Sequence, residues 1–151
     1  MTEIYTERNR AVALLMLRFL LGIIFLFQGY GKVFRWGVEN LYEQMFLKDY
    51  GAFFPENLLK FTAYYTSYVE LIGGGLLILG LFRNYTLYAL TSVLLIVSVG
   101  HGWAEGIWDL SHVWYRAACL FVILVLPASW DRWNFDSWWL QRKKYKNSEM
   151  N

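Results

Sequence analysis

The chain has 151 residues, of which 57% are hydrophobic and 20% aromatic, whereas only 17% are charged and the net charge is +2. That balance excludes an ordinary soluble domain, and the lack of a basic patch or reader motif excludes nucleic acid as the main partner; one integral membrane domain over residues 1–151 is expected. Cys119 is the single cysteine, so an intrachain disulfide, a CxxC redox pair and a CxxCH haem attachment are excluded, and this thiol reads as a packing group in an apolar helix.

Residues 1–10 are polar and are expected to be short, mobile and outside the bilayer. Arg8 and Arg10 precede an apolar run as in a signal peptide, but the run continues without a small-x-small cleavage site, which predicts a retained helix. The first span is residues 11–30, matching the roughly 20 apolar residues that cross hydrocarbon. Arg18, Gly22, Phe25, Gly29 and either Lys32 or Val33 recur at helical spacing on one face, the face predicted to turn toward other helices. Residues 36–59 mix aromatic and charged residues. Leu41, Met45 and Leu47–Lys48 predict a short interfacial helix there, and Pro55-Glu56 suits the start of the next helix. A connection of this length is either a lid or docking surface, or an interfacial packing helix.

The second span is residues 59–82, with Thr66, Glu70, Gly73, Leu77 and Gly80 or Leu81 on one face, extended by Thr62 or Ala63. Arg83-Asn84 leads tightly into the third span, residues 85–103. His101 to His112 forms a connection rich in tryptophan, glycine and ionisable groups. The fourth span is residues 113–129, with Arg116 near its start and Pro127 near its end, where a break costs least. Trp130, Trp133, Trp138 and Trp139 read as an aromatic belt, followed by the basic cluster Arg142, Lys143, Lys144 and Lys146.

With four spans, both termini and the Arg83 turn lie on one side and carry Arg8, Arg10, Arg83, Arg132, Arg142, Lys143, Lys144 and Lys146, eight of the 14 basic residues. The positive-inside rule places that side in the cytoplasm, with the long first loop and the His101–His112 connection outward.

Glu70 interrupts the apolar run Tyr68 to Phe82 and is followed by three glycines. An ionisable group at that depth needs a partner, and small residues let helices approach closely. From helical rise, Arg18 lies about 10 Å from the cytoplasmic end and Glu70 about 15 Å from the outer end of a layer about 30 Å thick, so the two can pair. Such a pair either fixes packing or serves a substrate, quinone or proton site; the alternative is that Arg18 and Glu70 have separate polar partners.

A second polar group is expected at the outer mouth. His101, Glu105 and Asp109 follow i,i+4 spacing, His112 and Arg116 repeat it, and Gln28 and Lys32 join them from the first helix. The spacing fits no strict metal site, so no metal is expected. A quinone head needs donors beside flat apolar walls, which His101, Gln28 and Arg116 with Trp103, Trp108 or Trp114 can supply.

The run Leu17-Arg18-Phe19-Leu20-Leu21-Gly22 to Gln28-Gly29-Tyr30-Gly31-Lys32 resembles the first-helix signature of the DoxX family. Glu70-Leu71-Ile72-Gly73-Gly74-Gly75 to Gly80-Leu81-Phe82-Arg83 resembles its second. The likeness spans residues 11–130. It implies a small four-helix inner-membrane protein; some related proteins are membrane subunits of thiosulfate:quinone oxidoreductase, and others are associated with membrane redox or oxidative-stress complexes. By the same resemblance Arg18, Gly22, Gly29, Lys32, Glu70, Gly73, Gly74 and Gly80 are family positions. Gln28 stands where relatives commonly have histidine. Pro127-Ala128-Ser129-Trp130-Asp131-Arg132, with Asp136 beyond, replaces a Gly-Pro-Gly turn leading to aspartate.

The expected architecture is all-α, a four-helix transmembrane bundle with a short interfacial helix in the first loop. The expected function is that of a membrane subunit of a quinone-linked oxidoreductase or redox complex. Arg18, Glu70 and His101 are the candidate catalytic groups, and Gln28, Lys32, Glu70, His101 and Arg116 the candidate quinone contacts. The expected partners are the lipid bilayer, other membrane or periplasmic proteins and a further copy of the chain. The alternatives are a non-enzymatic anchor or structural subunit, and a small-solute or lipid-binding transport protein.

Overall fold

The computed structural model describes residues 2–104 and 111–139, and the elements among them are helical. Helix α1 is Thr2–Tyr30 and continues through a wider π-helical turn, Gly31–Trp36. The first loop holds α2 (Val38–Leu41), a second π-helical turn (Tyr42–Phe46) and α3 (Leu47–Tyr50). Then come α4 (Glu56–Leu79), α5 (Arg83–Ala104), α6 (Ser111–Val125) and a short 3₁₀ turn, Ala128–Trp130. Glu105, Trp108, Asp109, Arg142, Lys143, Lys144 and Lys146 lie outside the described residues, as does the side chain of His112.

The antiparallel seam of α1 and α4 sets the register of the whole. On α1, Leu14, Arg18, Leu21, Gly22, Phe25 and Gly29 are buried; on α4, Ala63, Thr66, Glu70, Gly73, Gly74 and Leu77 are buried. Both stripes follow the helical spacing of the sequence. A Cβ on Gly74 would strike the backbone of Leu26, one on Gly29 the backbone of Leu71, and one on Gly22 would lie 3.0 Å from the Gly74 carbonyl oxygen. Gly73 instead faces Leu90 of α5, and Gly75 has open space beside it. Small residues therefore bring the backbones together, as in other lipid-embedded helix pairs. Leu21, Phe25, Leu77, Leu87, Leu90, Leu120 and Ile123 close the core among α1, α4, α5 and α6.

The outward faces are apolar too. Met16, Leu20 and Phe27 on α1, Phe61 and Ile72 on α4, Tyr88, Leu95 and Val99 on α5, and Phe121 and Val125 on α6 are all exposed. An apolar surface of that extent is not stable against water. Two segments, Thr6–Trp36 and Arg83–Ala104, are long and apolar enough to cross a membrane, and Val113–Val125 is a shorter apolar helix.

Several boundaries differ from expectation. Residues 2–10 are helical rather than loose; an Arg132–Glu7 ion pair of 2.7 Å and the Arg10 guanidinium over the Trp130 ring at 4.6 Å hold this turn against the segment after α6. Helix α4 stops at Leu79, short of residue 82, because Gly80 turns left-handed (φ 67) and the Leu81 amide donates back to the Leu76 carbonyl at 3.0 Å, a Schellman closure. Helix α6 ends at Val125, ahead of Pro127, whose ring disfavours helical geometry just before it. The first loop is helical, built from two short helices around a π-helical turn. Val38, Leu41 and Tyr42 are its buried residues, while Met45 and Lys48 are exposed. Val38 and Tyr42 pack on Leu59 and Ala63, so this segment lies as a lid across the first half of α4.

Candidate functional site

Buried polar groups form two clusters at opposite ends of the α1–α4 seam. At the end shared by the α4–α5 turn and the segment after α6, Arg18 Nη1 donates to Asp131 Oδ1 at 2.7 Å and Nη2 to the Trp133 carbonyl at 2.6 Å. Arg18 and Asp131 are 1% and 2% exposed. Arg83 Nε lies 4.0 Å from Asp131 Oδ2, while its Nη2 donates to the carbonyls of Ile123 and, at 2.9 Å, Leu126. Those are helix-end carbonyls without intrahelical donors, so Arg83 caps α6 from the start of α5. A Cβ on Gly80 would enter the Arg18 guanidinium. Gly80 is thus fixed both by its backbone and by the charge beside it.

The expected Arg18–Glu70 pair does not form. Ten residues of α4 separate Glu70 from Gly80, about 15 Å of helix rise. The glycine seam sets Gly22 against Gly74 and Ile78, and so holds Arg18 beside Gly80. Glu70, 2% exposed, pairs instead with Lys32, whose Nζ lies 2.6 Å from Oε2. Both Arg18 and Glu70 do face the interior, as their positions in the apolar runs predicted.

Glu70 and Lys32 line a cavity of about 890 Å³ between α1, the lid, α4, α5 and α6. Gln28, His101 and Arg116 line the same cavity, so five of the six sequence candidates converge and Arg18 alone is elsewhere. Arg116 Nη1 donates to Gln28 Oε1 at 2.8 Å and Nε donates to the Tyr115 hydroxyl at 3.1 Å. His101 Nδ1 lies 3.2 Å from the Tyr50 hydroxyl and 3.1 Å from the Val97 carbonyl. The site brings two cations, a carboxylate, an amide and an imidazole to one apolar chamber.

Among the described residues the flat walls come from the lid rather than from tryptophan. Phe46, Tyr50 and Phe54 line the cavity with Met45, Leu58 and Leu59. Trp103 is exposed and meets Phe54 at a centroid distance of 6.3 Å; Trp114 is 71% exposed and belongs to the outer surface. Asp49, Thr62 and Thr66 also line the chamber. The two threonines lie one and two turns from Glu70 on the face already read from sequence, whereas no spacing rule marks Asp49 or Tyr50. Among the described residues no cluster of three or more histidine, cysteine or acidic side chains is arranged to hold a metal.

A carboxylate paired to Lys32 in this chamber can orient a polar head and exchange a proton with it. Donors on Lys32, Arg116 and Tyr50 can meet carbonyl oxygens, and a chamber of this size falls within the range of small-molecule sites.

No curated protein and no solved structure matches the chain. The DoxX family model matches residues 13–103, from α1 to the end of α5, short of the 11–130 expected from the motifs. This match covers both helix signatures and the Gln28, Lys32, Glu70 and His101 positions of the cavity, leaving out α6 with Arg116 and the segment that carries Asp131. With its exposed apolar faces this is a membrane protein, and the chain belongs to the DoxX family.

Proposed function

We propose that this protein is the quinone-binding membrane subunit of a redox complex, spanning the bacterial inner membrane four times with both termini in the cytoplasm. The observation that carries the reading is the convergence of Lys32, Glu70, Gln28, Arg116, His101 and Tyr50 on one apolar chamber. These residues fit a quinone: donors for its two oxygens, a carboxylate for proton exchange, and Phe46, Phe54 and Leu59 to bracket a ring. A quinone supplies two-electron, two-proton redox chemistry. Lys32 pairs with Glu70 and orients it, and Arg116, steadied by Gln28, adds a second cation facing a developing oxyanion. The Tyr50–His101 pair provides an exchangeable proton at the lid side. The sequence holds one cysteine and no redox-centre motif, so electrons come from a partner protein.

The orientation is supported by the meeting of Glu7, Arg10, Gly80, Arg83 and Arg132 at one end of the molecule, which brings the start of α1, the α4–α5 turn and the segment after α6 to one side.

The test is gentle extraction of the tagged protein from its native membrane, followed by mass spectrometry of bound proteins and lipids, with Glu70→Gln in parallel. The expected result is a redox protein and a quinone, with the quinone lost in Glu70→Gln and the protein partner retained. A non-redox assembly without quinone, unaltered by Glu70→Gln, refutes the reading.

A further inference from the structure

We propose that the cavity is entered sideways from the lipid phase, through a portal between α4 and α5, and that its occupant is amphipathic. The polar head lies at Lys32 and Glu70, and the apolar tail leaves past Leu95 and Val99. The proposal rests on the cavity being a ligand site, and adds to that reading a route and the tail.

The lid end is fastened. Glu39 accepts from Lys60 Nζ at 2.6 Å and from the Tyr64 hydroxyl at 2.8 Å, tying α2 to α4. Tyr50 meets His101 at 3.2 Å, tying α3 to α5, and Phe54 packs on Trp103. Four contacts thus close the chamber along the side that the lid covers.

The flank is different. Met45, Leu58, Leu95 and Val99 line the cavity and are also 42%, 49%, 62% and 62% exposed, so they form its rim. Directly along the two helices, the Tyr65 hydroxyl meets Ser92 Oγ at 2.7 Å and joins α4 to α5. Leu58, Thr62 and Tyr65 follow one another at i, i+4 and i+7 on α4; Ser92, Leu95 and Val99 do so at i, i+3 and i+7 on α5. The hydrogen bond is therefore the sill of an opening whose jambs are the rim residues. That opening continues the exposed apolar stripe of Tyr88, Leu95 and Val99. Among the exposed lining residues Asp49, on the lid, is the polar one; the α4 and α5 jambs are apolar, and on a lipid-facing stripe they let an acyl or isoprenoid chain pass without loss of apolar contact. Inside, the polarity rises from Leu58 and Leu95 through Thr62 and Thr66 to Glu70 and Lys32, the order of an amphipathic ligand from tail to head.

The experiment places the full chain in nanodiscs of phosphatidylcholine that carries a photoactivatable diazirine on its acyl chain next to the head group, and maps the labelled residues by mass spectrometry. The expected result is labelling at Thr62, Thr66 and Glu70 as well as on the outer positions Phe121 and Leu124. Leu95→Trp and Val99→Trp fill the rim and should lower the interior labelling by roughly tenfold, the outer labelling reporting that the fold is kept. Leu58→Trp, on the opposite jamb, should act in the same way. Outer labelling without interior labelling in the wild type overturns the proposal, and so does interior labelling that none of the three variants lowers. Because the probe is a phospholipid, interior labelling with this dependence in a protein that co-purifies with no quinone keeps the portal while removing the redox reading.

Discussion

Replacing Asp131 by alanine should destabilise the protein more than any change in the cavity. Arg18 and Asp131 are 1% and 2% exposed and lie 2.7 Å apart. Without the carboxylate, the Arg18 guanidinium stays buried with the Trp133 carbonyl at 2.6 Å as its remaining hydrogen-bond acceptor, and Arg83 loses the opposite charge 4.0 Å from its Nε. Removing one partner of a buried ion pair costs about 3–5 kcal/mol, because the other charge is left without compensation. For a chain of this size that is about 6–20 °C in the unfolding temperature. Thermal unfolding in detergent, followed by tryptophan fluorescence and by the monodisperse fraction, measures it. Arg18→Met combined with Asp131→Leu removes both charges and should regain most of the loss. A single Asp131→Ala variant that melts within about 2 °C of wild type refutes the reasoning, as does simple additivity of the Arg18 and Asp131 changes. A second cycle, Arg18→Met with Glu70→Gln, should be additive within about 0.5 kcal/mol, since these residues sit on different clusters. A coupling well above that would restore the pair expected from sequence.

Two further outcomes follow from the seam and the lid. Gly74→Val drives a side chain into the Leu26 backbone and should cost at least about 1–3 kcal/mol, whereas Gly75→Ala, with open space beside it, should be neutral or gain up to about 1 kcal/mol; unfolding temperatures of the pair distinguish a packing role from a general weakness of glycine. Hydrogen bonds from Lys60 and Tyr64 hold the Glu39 carboxyl below the usual glutamate range. A carboxyl lowered in the folded state contributes its full stabilisation above the unfolded value and loses it as pH falls through the folded one. The protection of residues 38–54 against hydrogen exchange, taken relative to the intrinsic rate at each pH, should therefore fall on acidification through and below the glutamate range. Glu39→Gln should exchange faster at neutral pH and lack that step; an unaltered wild-type profile contradicts the latch.

The candidate site was legible to the extent that chemistry is local. Glu70 and Lys32 stood out because charges in or beside apolar runs need interior partners, and Gln28, His101 and Arg116 because they cluster near the outer helix ends. Tyr50, Phe46 and Phe54 escaped notice because aromatic residues in an irregular loop look alike until the loop is folded over α4. Asp131 was visible as a departure in the tail. Nothing in its neighbourhood announced that it answers Arg18 across more than a hundred residues.

By itself the sequence determined the helices, their buried faces and the glycines that bring two of them together, because 3.6-residue periodicity and backbone sterics act over a few turns. Pairing is another matter. Whether Arg18 reaches Glu70 or Asp131 depends on the axial register of α1 against α4, and a shift of a few residues there moves a side chain by more than the length of a hydrogen bond. That register is fixed by the meeting of Gly22, Gly29 and Gly74 with particular backbone atoms of the facing helix, and the cavity is what remains open beside that seam when the lid is folded down. Only the tertiary structure decided these, since they are sums over contacts that no single stretch of chain contains.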